Sequence, residues 1–135
     1  MGLERPLPET NGLADTFWKA AGEETLLIQK CRTCQHHQHY ARPLCLRCES
    51  SDLEMVPASG TGVVASYTVI HRSPYTDITT PYVLALIRLE EGVTMLSHIV
   101  ETDPSSITCD MRVAVKFAPL RDGVKLPVFV PASEV

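Results

Sequence analysis

The stretch Cys31-Arg32-Thr33-Cys34, followed after ten residues by Cys45-Leu46-Arg47-Cys48, decides how the rest of the chain is read. Each Cys-x-x-Cys pair sets two thiols on one tight turn. Two such turns face to face complete a tetrahedral four-sulfur site for a metal ion. The expected occupant of Cys31, Cys34, Cys45 and Cys48 is one structural Zn(II); iron takes the same ligand set, so both metals stay open. Disulfides or a redox-active pair are the other uses of such spacing, and a reducing compartment disfavours disulfides. Four thiolates fill the tetrahedron and leave no position for water or substrate. The binding energy of such a closed site is folding energy for a module too small to build its own core.

Between the two pairs lie His36, His37 and His39. With four cysteines already at ribbon spacing, these are expected as exposed hairpin residues rather than ligands. Lys30, Arg32, Arg42 and Arg47 cluster in the same region. A four-thiolate centre carries a net charge of about −2, and these cations are read first as its counter-charges.

Composition bounds the remainder. The chain has 135 residues, 44% of them hydrophobic, with a net charge of −4. That suits a small metal-stapled module beside one compact domain, and it argues against a polyanion as the main partner. No basic-then-apolar leader appears at the amino terminus, and the apolar runs are too short to span a bilayer. A soluble, cytoplasmic protein with no membrane partner is expected.

A mainly β chain in three parts is expected. Residues 1–24 form an arm and a helix, with Thr10 or Asn11 as helix caps and Leu13, Phe17, Trp18 and Ala21 at helical spacing. Residues 25–58 form the metal ribbon: Leu26, Leu27 and Ile28 lead into the first pair, and Leu53 and Met55 return from the second. At Ser59-Gly60-Thr61-Gly62 a glycine-marked turn opens residues 59–135. Five strands follow there. Val63–His71 is expected to turn Val63, Ala65, Tyr67 and Val69 to one face, and Tyr82–Leu89 reads as a central strand covered on both sides. Val93–Val100 follows the Glu90-Glu91-Gly92 hairpin. Arg112–Phe117 points Val113, Val115 and Phe117 inward. Lys125–Val130 comes last, its Pro127 suiting an edge. A helical turn capped by Asp103 links the third strand to the fourth. This order of events is that of a five-stranded OB-fold barrel.

The Trp-bearing helix, the paired Cys-x-x-Cys motifs, Ser59-Gly60-Thr61-Gly62-Val63, the segment from Pro81 through Glu91-Gly92, and Leu126-Pro127-Val128-Phe129 together resemble a known family. It is the family of zinc-ribbon/OB-fold proteins associated with acyl-CoA metabolism, and the resemblance runs from about Asp15 to Pro131. It implies a rubredoxin-like ribbon ahead of the OB barrel. It also implies a non-catalytic accessory role in a hetero-oligomer, most often with a thiolase-superfamily enzyme and in some relatives with aldolases or hydratases, building or covering the CoA-thioester site. The metal role carries over at Cys31, Cys34, Cys45 and Cys48. One departure is Asp110, where the family commonly places Gly before Met; Asp is expected to keep the positive-φ turn.

Under that reading Phe17 and Trp18 are candidate partner-binding residues, and Arg42, Arg47, Arg72 and Arg88 are candidate contacts for CoA phosphates. No catalytic constellation is evident. Cys109 lacks an evident helix N-terminus or basic partner to activate it, His71 and His98 read as structural strand residues, and Glu90 and Glu91 read as a turn. The competing reading is a single-stranded nucleic-acid binder stacking bases on Tyr67, Tyr75 and Tyr82; the acidic balance opposes it.

Overall fold

The computed structural model describes residues 4–8 and 12–132. The cap candidates Thr10 and Asn11 lie outside the described residues. Helix α1 spans Ala14–Gly22 and ends where Glu24 takes φ +62, a left-handed position that usually belongs to glycine. Two backbone bonds close the helix there, Glu24 N–H to the Ala21 carbonyl and Thr25 N–H to that of Ala20. Lys125 pairs with Glu24 at 2.8 Å and ties this end to the barrel.

Strands β1 (Leu27–Cys31), β2 (His37–Gln38) and β3 (Leu53–Pro57) form an antiparallel sheet in the order β2-β1-β3. Five further strands follow: β4 (Thr61–Ile70), β5 (Tyr82–Leu89), β6 (Thr94–Ile99), β7 (Arg112–Pro119) and β8 (Lys125–Pro131). They close into a barrel in the order β4-β5-β6-β8-β7, so the expected mainly β architecture, with its helix, ribbon and five-stranded barrel, is what the chain adopts. Glycine makes the closure possible. Gly62 lies between Leu89 of β5 and Val113 of β7, and a Cβ there would sit 2.4 Å from the Arg88 carbonyl oxygen. Asp110 does hold a positive φ, +68, and its N–H bonds the Val64 carbonyl at 2.7 Å. Asp103 caps the single 3-10 turn Pro104–Ser106 by accepting from Ser105 N–H.

Three sequence expectations change. In β4, Val64 pairs with Ile87 and Ser66 with Leu86, leaving Ala65 as a bulge. A bulge reverses which parity faces inward. Val64 is therefore the buried residue before it, whereas Val69 packs on the core after it. In β5 only Val83, Ala85, Ile87 and Leu89 are buried; Leu86 on the outer face is exposed, so the strand is covered on one side. Finally, β8 is no free edge. It pairs fully with β7, but with β6 through one bridge, Ile99 to Phe129. Pro127, with no N–H to give a ladder, lies along this sparsely paired seam, where its carbonyl accepts the Ser97 hydroxyl at 2.8 Å.

The core centres on Phe129, Ile87, Leu89, Val64, Val83 and Val113, with Ile107 from the linking turn. Leu26 and Ile28, from the ribbon side, belong to the same buried cluster. Ribbon and barrel thus share one core. Among the described residues no helix is long and apolar enough to cross a membrane.

Candidate functional site

The two Cys-x-x-Cys turns have the same backbone construction. In the first, Cys31 N–H bonds the His36 carbonyl and Gln35 N–H bonds that of Cys31; in the second, Cys45 N–H bonds Ser50 and Glu49 N–H bonds Cys45. Gln35 and Glu49, each just after the second cysteine, take φ +67 and +64. These left-handed residues turn the chain back and leave amides facing sulfur. Cys34 N–H reaches Cys31 Sγ at 3.5 Å, and Arg47 N–H reaches Cys45 Sγ at 3.4 Å.

All four Sγ atoms lie within 4.8 Å of one another, with Cys31–Cys48 and Cys34–Cys45 both at 3.6 Å. A tetrahedral ion with metal–sulfur bonds of about 2.3 Å needs edges of roughly 3.8 Å, so the donor set fits it. The thiols are free, not bridged. Their electrostatics also call for a cation. The Cys34 N–H, foremost among several hydrogen bonds, draws the Cys31 thiol down to about 6. Cys45 is lowered likewise, chiefly by the Cys48 N–H. Cys48 goes the other way, up to about 12: the Ser50 N–H favours its thiolate, but burial and the three neighbouring sulfurs outweigh that. Four sulfurs this close cannot all carry charge unless a metal balances them.

A buried amide pair that sequence reasoning missed supports the second turn. Gln38 Nε2 donates to Gln29 Oε1 at 2.5 Å and to the Leu44 carbonyl at 3.3 Å, while Gln38 Oε1 accepts Leu46 N–H at 2.9 Å. Gln29 grips both backbone groups of Arg42, at 3.0 and 2.9 Å. The two glutamines thereby hold the loop on both sides of Cys45. The only advance signal was a pair of amide side chains on the strands flanking the first turn.

A second feature lies where the helix and ribbon meet the barrel. Phe17, Trp18, His39 and Tyr40 face Leu96, His98, Leu126 and Val128 across a mostly apolar groove of about 250 Å³, against the sparsely paired β6–β8 seam. Phe17 packs on the core and meets Trp18 edge-on at 5.0 Å. His39 is not an exposed hairpin residue. It lies 5.5 Å from Phe17 and 4.1 Å from Tyr40, ring to ring, and burial pushes its pKa down to about 4. His36 and His37 are half-buried as well. His98 stacks on Tyr82 at 5.0 Å, lowered by burial and then by the charge of Arg5. Both imidazoles are neutral at pH 7.

The remaining candidates are dispersed. Arg42, Arg47, Arg72 and Arg88 are all exposed. Arg88 pairs in register with Val63, near the start of β4, whereas Arg72 lies beyond its last residue, Ile70. At about 3.3 Å per residue the two stand roughly 25 Å apart, at opposite ends of the barrel. Cys109 is exposed beside the β7 turn, and His71 falls just past β4 rather than in it. Glu91 is more than a turn residue: its carboxylate accepts Ser59 N–H at 2.7 Å and pins the hairpin to the start of the barrel.

A paired-turn sulfur cluster feeding a closed OB barrel defines a class of two-part zinc-ribbon/OB-fold proteins. The chain belongs to the ChsH2-type DUF35 family: the ChsH2 rubredoxin-like zinc ribbon domain matches residues 18–54 and the ChsH2 C-terminal OB-fold domain matches residues 55–118. The sulfur cluster lies inside the stretch matched by that zinc ribbon, and its geometry could hold one structural metal ion. The chain is 38% identical over 129 residues to a probable enoyl-CoA hydratase alpha subunit of Thermomonospora curvata, a match covering 95% of this chain and 40% of that protein. The chain thus spans less than half of that relative. It is 31% identical to a DUF35 domain-containing scaffold protein of Methanocaldococcus jannaschii, covering 78% of this chain and 77% of the other. A benzoylsuccinyl-CoA thiolase subunit, BbsA, of Geobacter metallireducens is 28% identical over 76% of this chain and 68% of its own length. Among solved structures, one described as an Ltp2-ChsH2(DUF35) aldolase superposes with TM-score 0.87 at 36% identity, covering 96% of this chain and 100% of that one.

Proposed function

We propose that this chain is a non-catalytic accessory subunit of an enzyme that acts on acyl-CoA thioesters, and that Cys31, Cys34, Cys45 and Cys48 hold one structural Zn(II). One observation carries the reading. The same fold recurs in relatives named for three different reactions, as hydratase, thiolase and aldolase components. A part that stays constant while the chemistry changes is best explained as surface and scaffold, with the reacting groups on another polypeptide. The scaffold-named relative of similar length supports the same assignment.

In finer detail, the partner is a thiolase-superfamily enzyme, bound as a hetero-oligomer in the cytoplasm. The chain helps to assemble or cover the partner's CoA-thioester site. Trp18 is the partner-facing aromatic of the helix, with Phe17 holding it from the core side. Because Arg72 and Arg88 are too far apart to serve one ligand, the ribbon pair Arg42 and Arg47 is the proposed contact for CoA phosphates. Zinc is preferred over iron because the matching ribbon family is a zinc ribbon.

Co-expression with acyl-CoA enzymes of the same genome, thiolase-superfamily members first, is the test. A stable complex, with enzyme activity reduced when this chain is left out, is expected. Failure of every such enzyme to bind this chain, each being soluble and fully active alone, would overturn the assignment. Elemental analysis of the purified chain should find about one zinc per chain, and one iron instead would change the metal but not the role.

A further inference from the structure

Residues 4–8 reach the barrel through one residue. Arg5 donates its backbone N–H to Asp77 Oδ1 at 3.1 Å, its Nε to Asp77 Oδ2 at 3.2 Å and its Nη2 to the Asp77 carbonyl at 3.3 Å. Arg121 completes the cluster: its Nη1 stands 3.7 Å from the same carboxylate, and its Nη2 donates to the Arg5 carbonyl. The three residues come from the amino-terminal arm, from residues 71–81 between β4 and β5, and from the turn between β7 and β8. Their side chains are between 20% and 32% exposed, so these ion pairs are screened less than those at the open surface. Among the described residues, every hydrogen bond from residues 4–8 to the rest of the chain belongs to Arg5. Every side-chain bond from residues 71–81 to the rest of the chain runs through Asp77. One ionic cluster set against the ordering entropy of two chain segments opens far more readily than a strand ladder does.

The place of this cluster gives it meaning. In an OB barrel the second and third strands, with the loops that follow the first and fourth, make the general ligand face. Here those parts are β5, β6, residues 71–81 and the β7–β8 turn, and Arg5 ties the two loops together. A cavity of about 340 Å³ lies on that face, lined by Tyr82 and Val83 of β5, His98 and Ile99 of β6, and Arg5 and Asp77 themselves. Arg5 is near enough to His98 for its charge to act on the imidazole. His98, Leu126 and Val128 line both this cavity and the groove beside Trp18, so the two are neighbouring parts of one trough along the β6–β8 seam. We propose that residues 4–8 are a strap latched by Arg5 across the ligand face of the barrel, and that its opening exposes the cavity next to the groove. The strap stands apart from the accessory-subunit reading, and the isolated chain suffices to test it.

Limited trypsin digestion of the full chain, followed by mass spectrometry, reads the opening. Arg72 lies in the tethered loop and Arg88 in β5, so cutting after the first reports local opening and cutting after the second reports loss of the barrel. In the unaltered protein, cleavage after Arg72 should run at least tenfold faster than after Arg88. Arg5→Ala, and separately Asp77→Asn, should each speed cleavage after Arg72 at least fivefold and leave cleavage after Arg88 unchanged. Both should also raise, at least twofold, the emission of bound anilinonaphthalene sulfonate, a dye that brightens in apolar clefts. Arg112→Ala, which removes a charge from an exposed pair with Glu90 at the other end of the barrel, should do none of this. Arg5 lies outside the core cluster, so its variant stays decisive if Asp77→Asn lowers the melting temperature. Cleavage after Arg72 at the unaltered rate in both variants would show that the cluster latches nothing. Faster cleavage with unchanged dye emission would show that the strap covers no cavity. Equal rates at Arg72 and Arg88 in the unaltered protein would show that the strap never opens by itself. Each of these three results overturns the proposal.

Discussion

Replacing Gln38 with leucine tests whether the buried amide pair is what presents the second metal-binding turn. Gln38 is 3% exposed, and its carboxamide satisfies Leu46 N–H and the Leu44 carbonyl, one on each side of Cys45. Leucine keeps most of the volume and makes neither bond. Gln29 Oε1 still accepts Arg42 N–H, so two backbone groups, not three, lose their partner. An orphaned buried group costs about 1–3 kcal/mol, and the partly exposed loop lets water relieve some of that, so about 2 kcal/mol in total is the working figure. Because both groups adjoin a metal ligand, the loss should fall on the metal-bound geometry. At 1.4 kcal/mol per tenfold, 2 kcal/mol is a factor of ~30 in zinc affinity, within the range for groups that orient metal ligands. Competition against a chromophoric chelator at pH 7 measures it. A Gln38→Leu chain that is folded and holds zinc within about threefold of the unaltered protein would show that the turns position themselves and that the amide network is dispensable.

Two further outcomes follow from single residues. Gly62→Ala should lower the melting temperature by on the order of 10 °C: its Cβ would meet backbone atoms of Arg88 and Leu89, which cannot rotate away, and overpacking of ~3 kcal/mol shifts a domain of this size by that much; an unchanged melt would mean that β4 and β5 can part without loss. His39 gains its proton near 6.5 when unfolded but only at about 4 when folded, so protons favour the unfolded chain between those values and stability falls with pH by about 2 kcal/mol from 6.5 to 5. Denaturant titration of zinc-saturated protein should show that slope lessened in His39→Phe, and identical slopes for the two proteins would place the pH dependence elsewhere.

How much could be seen in advance depends on how local the governing physics is. A four-sulfur site requires two short turns, and short turns are written in adjacent residues, so Cys31, Cys34, Cys45 and Cys48 were readable at sight. The glycine of the β5–β6 hairpin, Gly92 at φ +93, was legible for the same reason. What failed depended on neighbours distant in sequence. The inward face of β4 was misjudged because Ala65 is a bulge, and nothing in Val63-Val64-Ala65-Ser66 distinguishes a bulge from an alternating strand. β5 was read as covered on both sides because its sequence is apolar at nearly every position. Its outer leucines face no part of the described chain's core, which is the pattern expected when a sequence is adapted to a surface outside itself. His39 was misplaced because its companions, Phe17 and the barrel seam, lie far away along the chain.

The shared core explains how a small metal module can define a groove with a barrel. Leu26 and Ile28 are buried in the same cluster as Val64 and Phe129, so the barrel end of the ribbon is fixed by apolar packing without help from the metal. The far end has no such packing. There Cys31 and Cys45 are the buried hydrophobic residues, and the Gln29–Gln38 pair, with any ion held by the sulfurs, takes over. Both anchors bear on one wall of the groove, because His39 and Tyr40 follow Gln38 directly and precede Arg42, which Gln29 grips. The opposite wall, Leu96 and His98, belongs to β6 and is held by its ladder with β5. Losing the metal should therefore loosen the ribbon wall and leave the barrel wall standing. A structural ion held by the four sulfurs would thus act at a distance from itself, through the position of His39 and Tyr40 on the ribbon wall.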